Sequence, residues 1–468
     1  MMNRISLLLI ALLACEVSLA QSPFYLGADF SYVNEMEDCG VRYYESQEAK
    51  DPYAIFNDRG CNLARLRLWH SPAWYDQLNE GRRYSDLADV KRSIARAQAQ
   101  GMEVLLDFHL SDTWADPSSQ LVPEAWLPVV NDLEVLKDSL YQYIYRTLEE
   151  LEANQLLPEM VQIGNETNKG ILLSPQDNAV WTLDWDRNAA LFNHAIKAVR
   201  DFEAQVGKRI KVVLHLAGPD NAEWLLDGFA NNGVSDFDII GLSYYWAWHM
   251  PTTIEETGAL ISTLRQLYNK EVLIVETGYI WTTEWNDTAN NIISETHPDY
   301  HPASPNNQRD WLIALTREVA ARDGLGVLYW EPCWVSSPCF TQWGQGSHQE
   351  HAAFFDFDNQ LLVPGGIEWM SQDYGQTTSQ GPLPLPALEV QIMANSFSGD
   401  VKIKQHTDQN QVLDYSVMDT MGQVLLSGQF EGAEVQFQLS DLPFGLYLIE
   451  VRNAKRMVKT KKMIYGKS

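Results

Sequence analysis

Short apolar runs separated by segments of helical period fill the first 370 residues. Residues 25–30 (Y-L-G-A-D-F), 62–69 (N-L-A-R-L-R-L-W), 102–108, 160–164, 212–216, 238–243, 271–275 and 326–330 each read as a strand. The first ends at Asp29 and runs into a polar loop, residues 31–40. Between the strands, residues 86–100 set Leu87, Val90, Ile94 and Ala97 on one helical face, with Gly101 as a stop. Residues 123–149 repeat the pattern with Leu133, Leu136, Leu140 and Ile144, and residues 186–205 with Ala189, Phe192, Ile196 and Val199. Residues 254–268 and 308–322 are also helical in pattern. Val/Ile/Leu runs without strict alternation belong to strands covered on both faces. Eight of them alternating with helices predict an α/β fold, a (β/α)8 TIM barrel over residues 21–370. A doubly wound sheet is the structural rival, but it has no natural use for so many polar and aromatic strand ends.

The period then changes. Residues 371–386 (S-Q-D-Y-G-Q-T-T-S-Q-G-P-L-P-L-P) have the composition of a linker. Beyond them, residues 388–394, 400–406, 411–419, 423–426, 433–439, 445–453 and 457–464 alternate, with Gly, Asp and Asn turns between. This predicts a small all-β sandwich over residues 387–468. It has no clustered carboxylates or histidines, so the chemistry is expected in the barrel.

The first 20 residues read as a signal peptide: Arg4, an apolar stretch over residues 5–14, then Ser18-Leu19-Ala20. The run is too short to span a membrane. Leu12-Leu13-Ala14-Cys15 loosely resembles a lipobox, so lipid attachment at Cys15 competes with cleavage after Ala20; Leu13 is unusual there and favours cleavage. An exported chain permits disulfides. Cys333 and Cys339 are close in sequence and are the expected pair, while Cys39 and Cys61 either pair or stay buried. With 62 acidic and 34 basic residues the net charge is −28, which disfavours nucleic acid and fits a neutral substrate. From residue 401 onward there are 7 acidic and 9 basic residues, so the negative charge lies in the barrel.

Two strand ends carry the candidate chemistry. V-Q-I-G-N-E-T-N-K-G-I-L delivers Glu166, and E-V-L-I-V-E-T-G-Y delivers Glu276. A closed barrel brings its fourth and seventh strand ends across one pocket, and a pair of carboxyls there suits glycosidic bond hydrolysis. Asn165 is placed to hold a sugar hydroxyl. Arg65 or Arg67 is expected behind the nucleophile, holding it ionised. Tyr244 or Tyr245 follows the sixth strand, where a phenol can hydrogen-bond the nucleophile. His109, in the polar exit Asp107-Phe108-His109-Leu110-Ser111-Asp112, lines the same floor. Trp69, Trp114, Trp246, Trp248, Tyr279, Trp281, Trp330 and Trp334 frame this end and offer flat faces to sugar rings, with Trp330 the foremost platform. There is no Gly-rich nucleotide loop and no G-x-S-x-G elbow, so no nucleotide cofactor is expected. Asp356-Phe357-Asp358-Asn359 is a candidate calcium stretch without a recognised ligand spacing.

Residues 25–370 resemble glycoside hydrolase family 53, the endo-β-1,4-galactanases. The resemblance rests on G-A-D-F-S-Y-V-N-E-M-E from Gly27, N-L-A-R-L-R-L-W from Asn62, D-F-H-L-S-D-T-W-A-D-P from Asp107, G-N-E-T-N-K-G-I-L from Gly164, S-Y-Y from Ser243, E-T-G-Y from Glu276 and G-V-L-Y-W-E-P from Gly326. It implies Glu166 as acid/base and Glu276 as nucleophile, retention of configuration, and carboxyls about 5–5.5 Å apart. It implies β-1,4-galactan as substrate, supporting roles for Asp29, Asp112 and the residues above, and no required cofactor. A structural calcium is a further expectation, to be sought in residues 281–307. Another β-1,4-glycanase, a mannanase or xylanase, and a non-catalytic glycan-binding barrel are the alternatives. The tail resembles a type IX secretion sorting domain, through M-D-T-M-G-Q from Met418, L-P-F-G-L-Y-L-I-E-V from Leu442 and the basic K-T-K-K-M from Lys459. That implies export machinery as a partner and a secreted or outer-surface protein. A carbohydrate-binding module is the rival for the tail, which contains no tryptophan to stack on sugar.

Overall fold

The computed structural model describes residues 23–375 except 182, and in the tail residues 390–394, 400–405, 412–418, 424–439, 442–443, 445–453 and 458–465. The expected signal peptide, Cys15 and most of the expected linker lie outside these residues. The chain forms two compact units, divided between Gln376 and Thr377.

The first unit is a closed barrel of eight parallel strands: β1 (Tyr25–Asp29), β2 (Leu63–Leu68), β3 (Glu103–Phe108), β4 (Met160–Ile163), β5 (Lys211–Leu216), β6 (Ile239–Ser243), β7 (Glu271–Glu276) and β8 (Gly326–Tyr329). Neighbours in the ring follow chain order, and β8 closes on β1 with Tyr25 opposite Gly326. Side chains on the barrel's inside and outside alternate. Tyr25, Leu63, Leu105, Met160, Val213, Leu273 and Leu328 fill the lower interior, while a much larger cluster packs the strands' outer faces against the helices. The interior is therefore plugged at its base, and the polar residues are left to its upper end.

Two short helices follow β1, α1 (Val33–Asp38) and α2 (Pro52–Asn57). The first occupies the predicted polar loop. Val33 and Met36 bury its apolar side, and its Asn34 and Glu35 are also buried, which is why it reads as polar. The helices of ten residues or more are α3 (Leu87–Ala99), α4 (Leu133–Ala153), α5 (Trp185–Val206), α6 (Ala222–Asn231), α7 (Ile254–Tyr268) and α8 (Pro305–Ala321). Side chains stop the chain at defined points. Asp86, Asp132, Asp184 and Ser304 accept backbone N–H bonds as N-caps, and Thr253 with Glu256 forms a capping box. The α6 helix was not expected; it spans ten residues and has no side-chain cap. Among the described residues no long helix follows β8. A loop carrying the small hairpin Phe340–Thr341 and Gly344–Gln345 takes its place, then the 3-10 turn Gly366–Ser371. Ser371 thus ends an element of the barrel rather than opening the linker, and Tyr374 still packs on Phe24.

The expected Cys333–Cys339 bridge does not form. Cys39, just past α1, is bonded to Cys339, with Cα atoms 5.7 Å apart, and Cys333 and Cys61 are free and buried. Nearness in sequence misled here: the tight barrel ring brings the loop after β8 against the loop after β1, 300 residues away.

In the second unit, β9 (Val390–Ala394), β10 (Asp400–Gln405) and β13 (Glu434–Gln438) form one antiparallel sheet. β12 (Val424–Glu431), β11 (Val412–Met418), β14 (Gly445–Asn453) and β15 (Val458–Tyr465) form another, in that order. Ile392, Val401, Ile403, Leu413, Val417, Phe430, Leu439, Ile449 and Val451 make a core of their own, as period-2 alternation requires.

A bridge across so long a loop restricts the unfolded chain strongly. Cys339→Ser is expected to cost about 2–4 kcal/mol of stability, read by thermal unfolding, whereas Cys333→Ser leaves the non-reducing disulfide map unchanged.

Candidate active site

Arg65 sits on the inner face of β2, 1% exposed, and its guanidinium is the meeting point of five strands. Nη1 lies 3.0 Å from Asp29 Oδ2 of β1 and 2.7 Å from Glu276 Oε1 of β7. Nη2 lies 2.7 Å from Asp107 Oδ2 of β3 and donates to Asn165 Oδ1 just past β4, also at 2.7 Å. Nε donates to Gln162 of β4 at 3.3 Å. Of the two arginine candidates, Arg65 is the one beside Glu276.

Glu166 arrives from a turn of unusual backbone. Gly164 has φ +75°, and a Cβ there would come within 2.6 Å of Thr167 Cγ2. Glu166 itself is left-handed, φ 47° and ψ 56°, a conformation that costs a non-glycine residue about 1–3 kcal/mol and recurs at functional positions. Gln120, from the loop after β3, braces the turn by donating to the carbonyls of Asn165 and Glu166. Asn165 Nδ2 donates to Ala115 O at 2.8 Å. One oxygen of Glu166, one of Glu276 and a ring nitrogen of His215 lie within 4.8 Å of one another. The two strand-end glutamates do meet.

Their environments differ. Burial, then the charge of Glu276, pushes the Glu166 carboxyl up to about 8. Burial also raises Glu276, to about 7, but the Arg65 guanidinium opposes it, and the Tyr245 hydroxyl donates to Oε2 at 3.2 Å. The Arg65 guanidinium thus favours the ionised form of Glu276, while burial and the Glu276 charge favour the protonated form of Glu166.

The other candidates separate cleanly. Tyr245 faces the pocket; Tyr244, one residue earlier and on the opposite face, donates to Thr252 O at 2.8 Å and stacks towards Trp311 outside the barrel. Arg67 lies away from Glu276. It pairs with Glu331 at 3.1 Å, and its guanidinium carbon rests 4.6, 4.4 and 4.2 Å from the ring centres of Tyr32, Trp69 and Trp114. His109 Nδ1 lies 2.9 Å from Asp107 Oδ2, and burial lowers its pKa, so it is a neutral part of the floor. Asp112 is a loop brace: its carboxylate accepts the backbone N–H groups of Ser71 and Glu124, both at 2.8 Å. Trp330 is 7% exposed and packs edge-on to Trp114, ring centres 5.7 Å apart. Trp248 is 48% exposed, 4.4 Å from the Tyr245 ring. Trp69, Trp334 and Tyr279 are buried packing residues, not open platforms.

Four polar groups escaped the sequence reading: Gln162, His215, Ser243 and Glu331. Each is a buried polar residue in or just beyond an apolar strand, and that was the available signal. Asp356 Oδ1 accepts the backbone N–H groups of Asp358 and Gln360, and Asp287 accepts those of Ala289 and Ser347. Neither stretch gathers three acidic or histidine ligands among the described residues.

The model of glycosyl hydrolase family 53 matches residues 25–364. This chain belongs to that family. It is 46% identical over 337 residues to the arabinogalactan endo-β-1,4-galactanase of Cellvibrio japonicus, covering 72% of this chain and 87% of that protein. It is 32% identical to the endo-β-1,4-galactanase of Bacillus subtilis, covering 80% and 86%. Among solved structures, the family 53 catalytic domain of Ignisphaera aggregans aligns with a TM-score of 0.65 at 31% identity, over 76% of this chain and 97% of that one. A fungal β-1,4-galactanase aligns with a TM-score of 0.63 at 26% identity, over 75% and 100%. The family 53 match covers the whole barrel and both glutamates. A second model, the secretion system C-terminal sorting domain, matches residues 395–466, which marks a secreted or outer-surface protein.

Removing the cation from the hub leaves buried carboxylates uncompensated. Arg65→Met is expected to lower stability by about 3–5 kcal/mol in urea unfolding, and the loss shrinks when Asp107→Asn is added.

Proposed function

We propose that this family 53 enzyme cleaves β-1,4-galactosidic bonds within galactan chains, with retention, by double displacement. Glu276 is the nucleophile and Glu166 the acid/base. The observation that carries the assignment is the asymmetry of the pair: Arg65 contacts Glu276 at 2.7 Å and favours its ionised form, whereas burial and the Glu276 charge push the Glu166 carboxyl up.

In the first half, a Glu276 oxygen attacks the anomeric carbon while Glu166 gives its proton to the departing glycosidic oxygen. The bond to the leaving chain breaks and a covalent galactosyl ester forms on Glu276. In the second half, Glu166, now ionised, takes a proton from water; the water oxygen attacks the same carbon and the ester bond breaks, restoring both groups. Asn165, held at its amide oxygen by Arg65, is assigned to hold a hydroxyl of the reacting sugar. Trp330 and Trp114, ring centres 5.7 Å apart, are assigned as the flat apolar area that meets the sugar chain. The reaction draws on no cofactor.

The substrate is named by the relatives, whose printed names are galactanases, and a neutral polymer suits so acidic a barrel. The tail is assigned to passage through type IX export machinery and removal on export. Cleavage after Ala20 is favoured over lipid attachment at Cys15.

Glu276→Gln is expected to abolish turnover and leave galactan binding largely intact, measured by reducing-sugar release and by affinity electrophoresis. Glu166→Gln is expected to spare glycosylation by substrates with activated leaving groups far more than by galactan; equal losses on both would refute Glu166 as the acid. Release from galactan, with none from mannan or xylan, separates the enzyme from other β-1,4-glycanases. In kcat/KM, activity falls as pH drops through the Glu276 value, because a protonated nucleophile cannot attack. It falls again as pH rises through the Glu166 value of about 8, because the acid is then lost.

A further inference from the structure

Ser243 ends β6, fully buried, and its hydroxyl donates to Glu166 Oε1 at 2.6 Å. A register irregularity between Leu242 and Ser243 sets it opposite Glu276 in the sheet. Behind it, His215 Nε2 of β5 lies 2.9 Å from the same hydroxyl oxygen. The direction of these bonds follows from the other side of the ring. The backbone N–H of Glu166 points at Nδ1, 3.2 Å away, and Gln162 Nε2 lies 3.1 Å from it. Asn165 Oδ1 is 2.9 Å from Nδ1 as well, but that oxygen accepts Arg65 Nη2 at 2.7 Å. The Glu166 amide has one hydrogen, fixed by the backbone and aimed at Nδ1, so Nδ1 offers its lone pair there and carries no hydrogen of its own. Nδ1 is therefore the acceptor and Nε2 carries the proton. Burial and the nearby Arg65 keep the ring neutral, so it has one proton to place. Nε2–H donates to Ser243, and the serine proton is left to Glu166 Oε1.

We propose that His215 and Ser243 are positioning residues that reserve Oε1 of Glu166 for the protein and leave Oε2 as the oxygen that exchanges a proton with the leaving group and with water. The proposal rests on Glu166 as the acid/base. A retaining enzyme needs this group as an acid in one half and a base in the other, so a fixed donor on Oε1 serves both. It keeps the acid's proton on the substrate side, and it steadies the carboxylate once that proton has gone. The groups facing Glu166 are Glu276 of β7 and Asp116 of the loop after β3, which disfavour its ionised form, and Arg65 of β2 and Ser243, which favour it. Tyr245, beyond β6, faces the same pair and is neutral. Ser243 is the one that can be removed without altering a charge.

The test is the pH profile of Ser243→Ala on galactan, beside an aryl β-galactoside with an activated leaving group. Loss of a charge-assisted hydrogen bond to the carboxylate is expected to move the alkaline limb of kcat/KM upward by about one pH unit. Turnover of the aryl substrate, limited by the water step that needs the ionised base, is expected to fall about tenfold at pH 7 and to recover as pH rises. Ser243→Thr, which keeps the hydroxyl, is expected to restore the wild-type limb. His215→Asn, which frees the serine to turn away, is expected to shift the limb in the same direction as Ser243→Ala, and it serves if that variant does not fold. An unmoved limb, with activity reduced by the same factor at every pH and on both substrates, overturns the proposal, as does a limb that moves down. Glu166→Gln run alongside separates the two levels. If it spares the aryl substrate and the Ser243→Ala limb stays fixed, only this proposal fails; if it loses both substrates equally, the acid/base reading beneath it fails.

Discussion

A guanidinium that cannot shed its proton is locked inside the barrel at Arg65, and the rest of the site is arranged around its charge. Burying such a group costs several kcal/mol unless its hydrogen-bonding positions are filled. Here they are filled by Asp29, Asp107, Glu276, Asn165 and Gln162. These partners come from four strands or their ends, so the barrel must be closed for the cation to be compensated. Three carboxylates around one cation leave an excess of negative charge. A further, half-buried carboxyl at the rim, Glu166, is pushed up by desolvation and then by the charge of Glu276. The Arg65 guanidinium lies against Glu276 and opposes its rise, so where one positive charge sits makes the two glutamates unlike.

The second strand arginine solves a different problem. Arg67 lies under a roof of Tyr32, Trp69 and Trp114, where cation–π contact replaces much of the lost hydration. Glu331, buried and left-handed at φ 47°, balances it. Trp114 in turn meets Trp330, and Trp343 at the tip of the hairpin after β8 leans on Trp74. The Cys39–Cys339 bond ties the base of that hairpin to the end of α1. One side of the pocket is therefore a rigid aromatic wall whose orientation is set by a buried ion pair and a covalent strap, while the other side, at Trp248, is open.

Two residues apart on a single strand, Arg65 and Arg67 share a face, and the pattern N-L-A-R-L-R-L-W makes that plain. It cannot say how high on the barrel each one stands. The register does: Arg65 is level with Asp29 of β1, and Arg67 with Asp107 of β3. The Tyr244–Tyr245 choice was of the same kind, decided once the end of β6 was fixed against β7. The disulfide is the sharpest difference, because sequence distance carries no information about which loops a closed ring brings together.

Period and composition by themselves determined the eight buried strands, the capped helices between them, the change to alternating strands near residue 390, and the two strand ends that bear glutamate. These are local properties, since each run must bury one face and stop at a cap or turn. Tertiary structure alone decided which cysteines bond, which arginine backs Glu276, and that His215 and Ser243 stand behind Glu166. Those facts depend on strand register and on burial shared between distant segments, and pairwise distances of a few ångströms across a barrel are not written in any one stretch of chain.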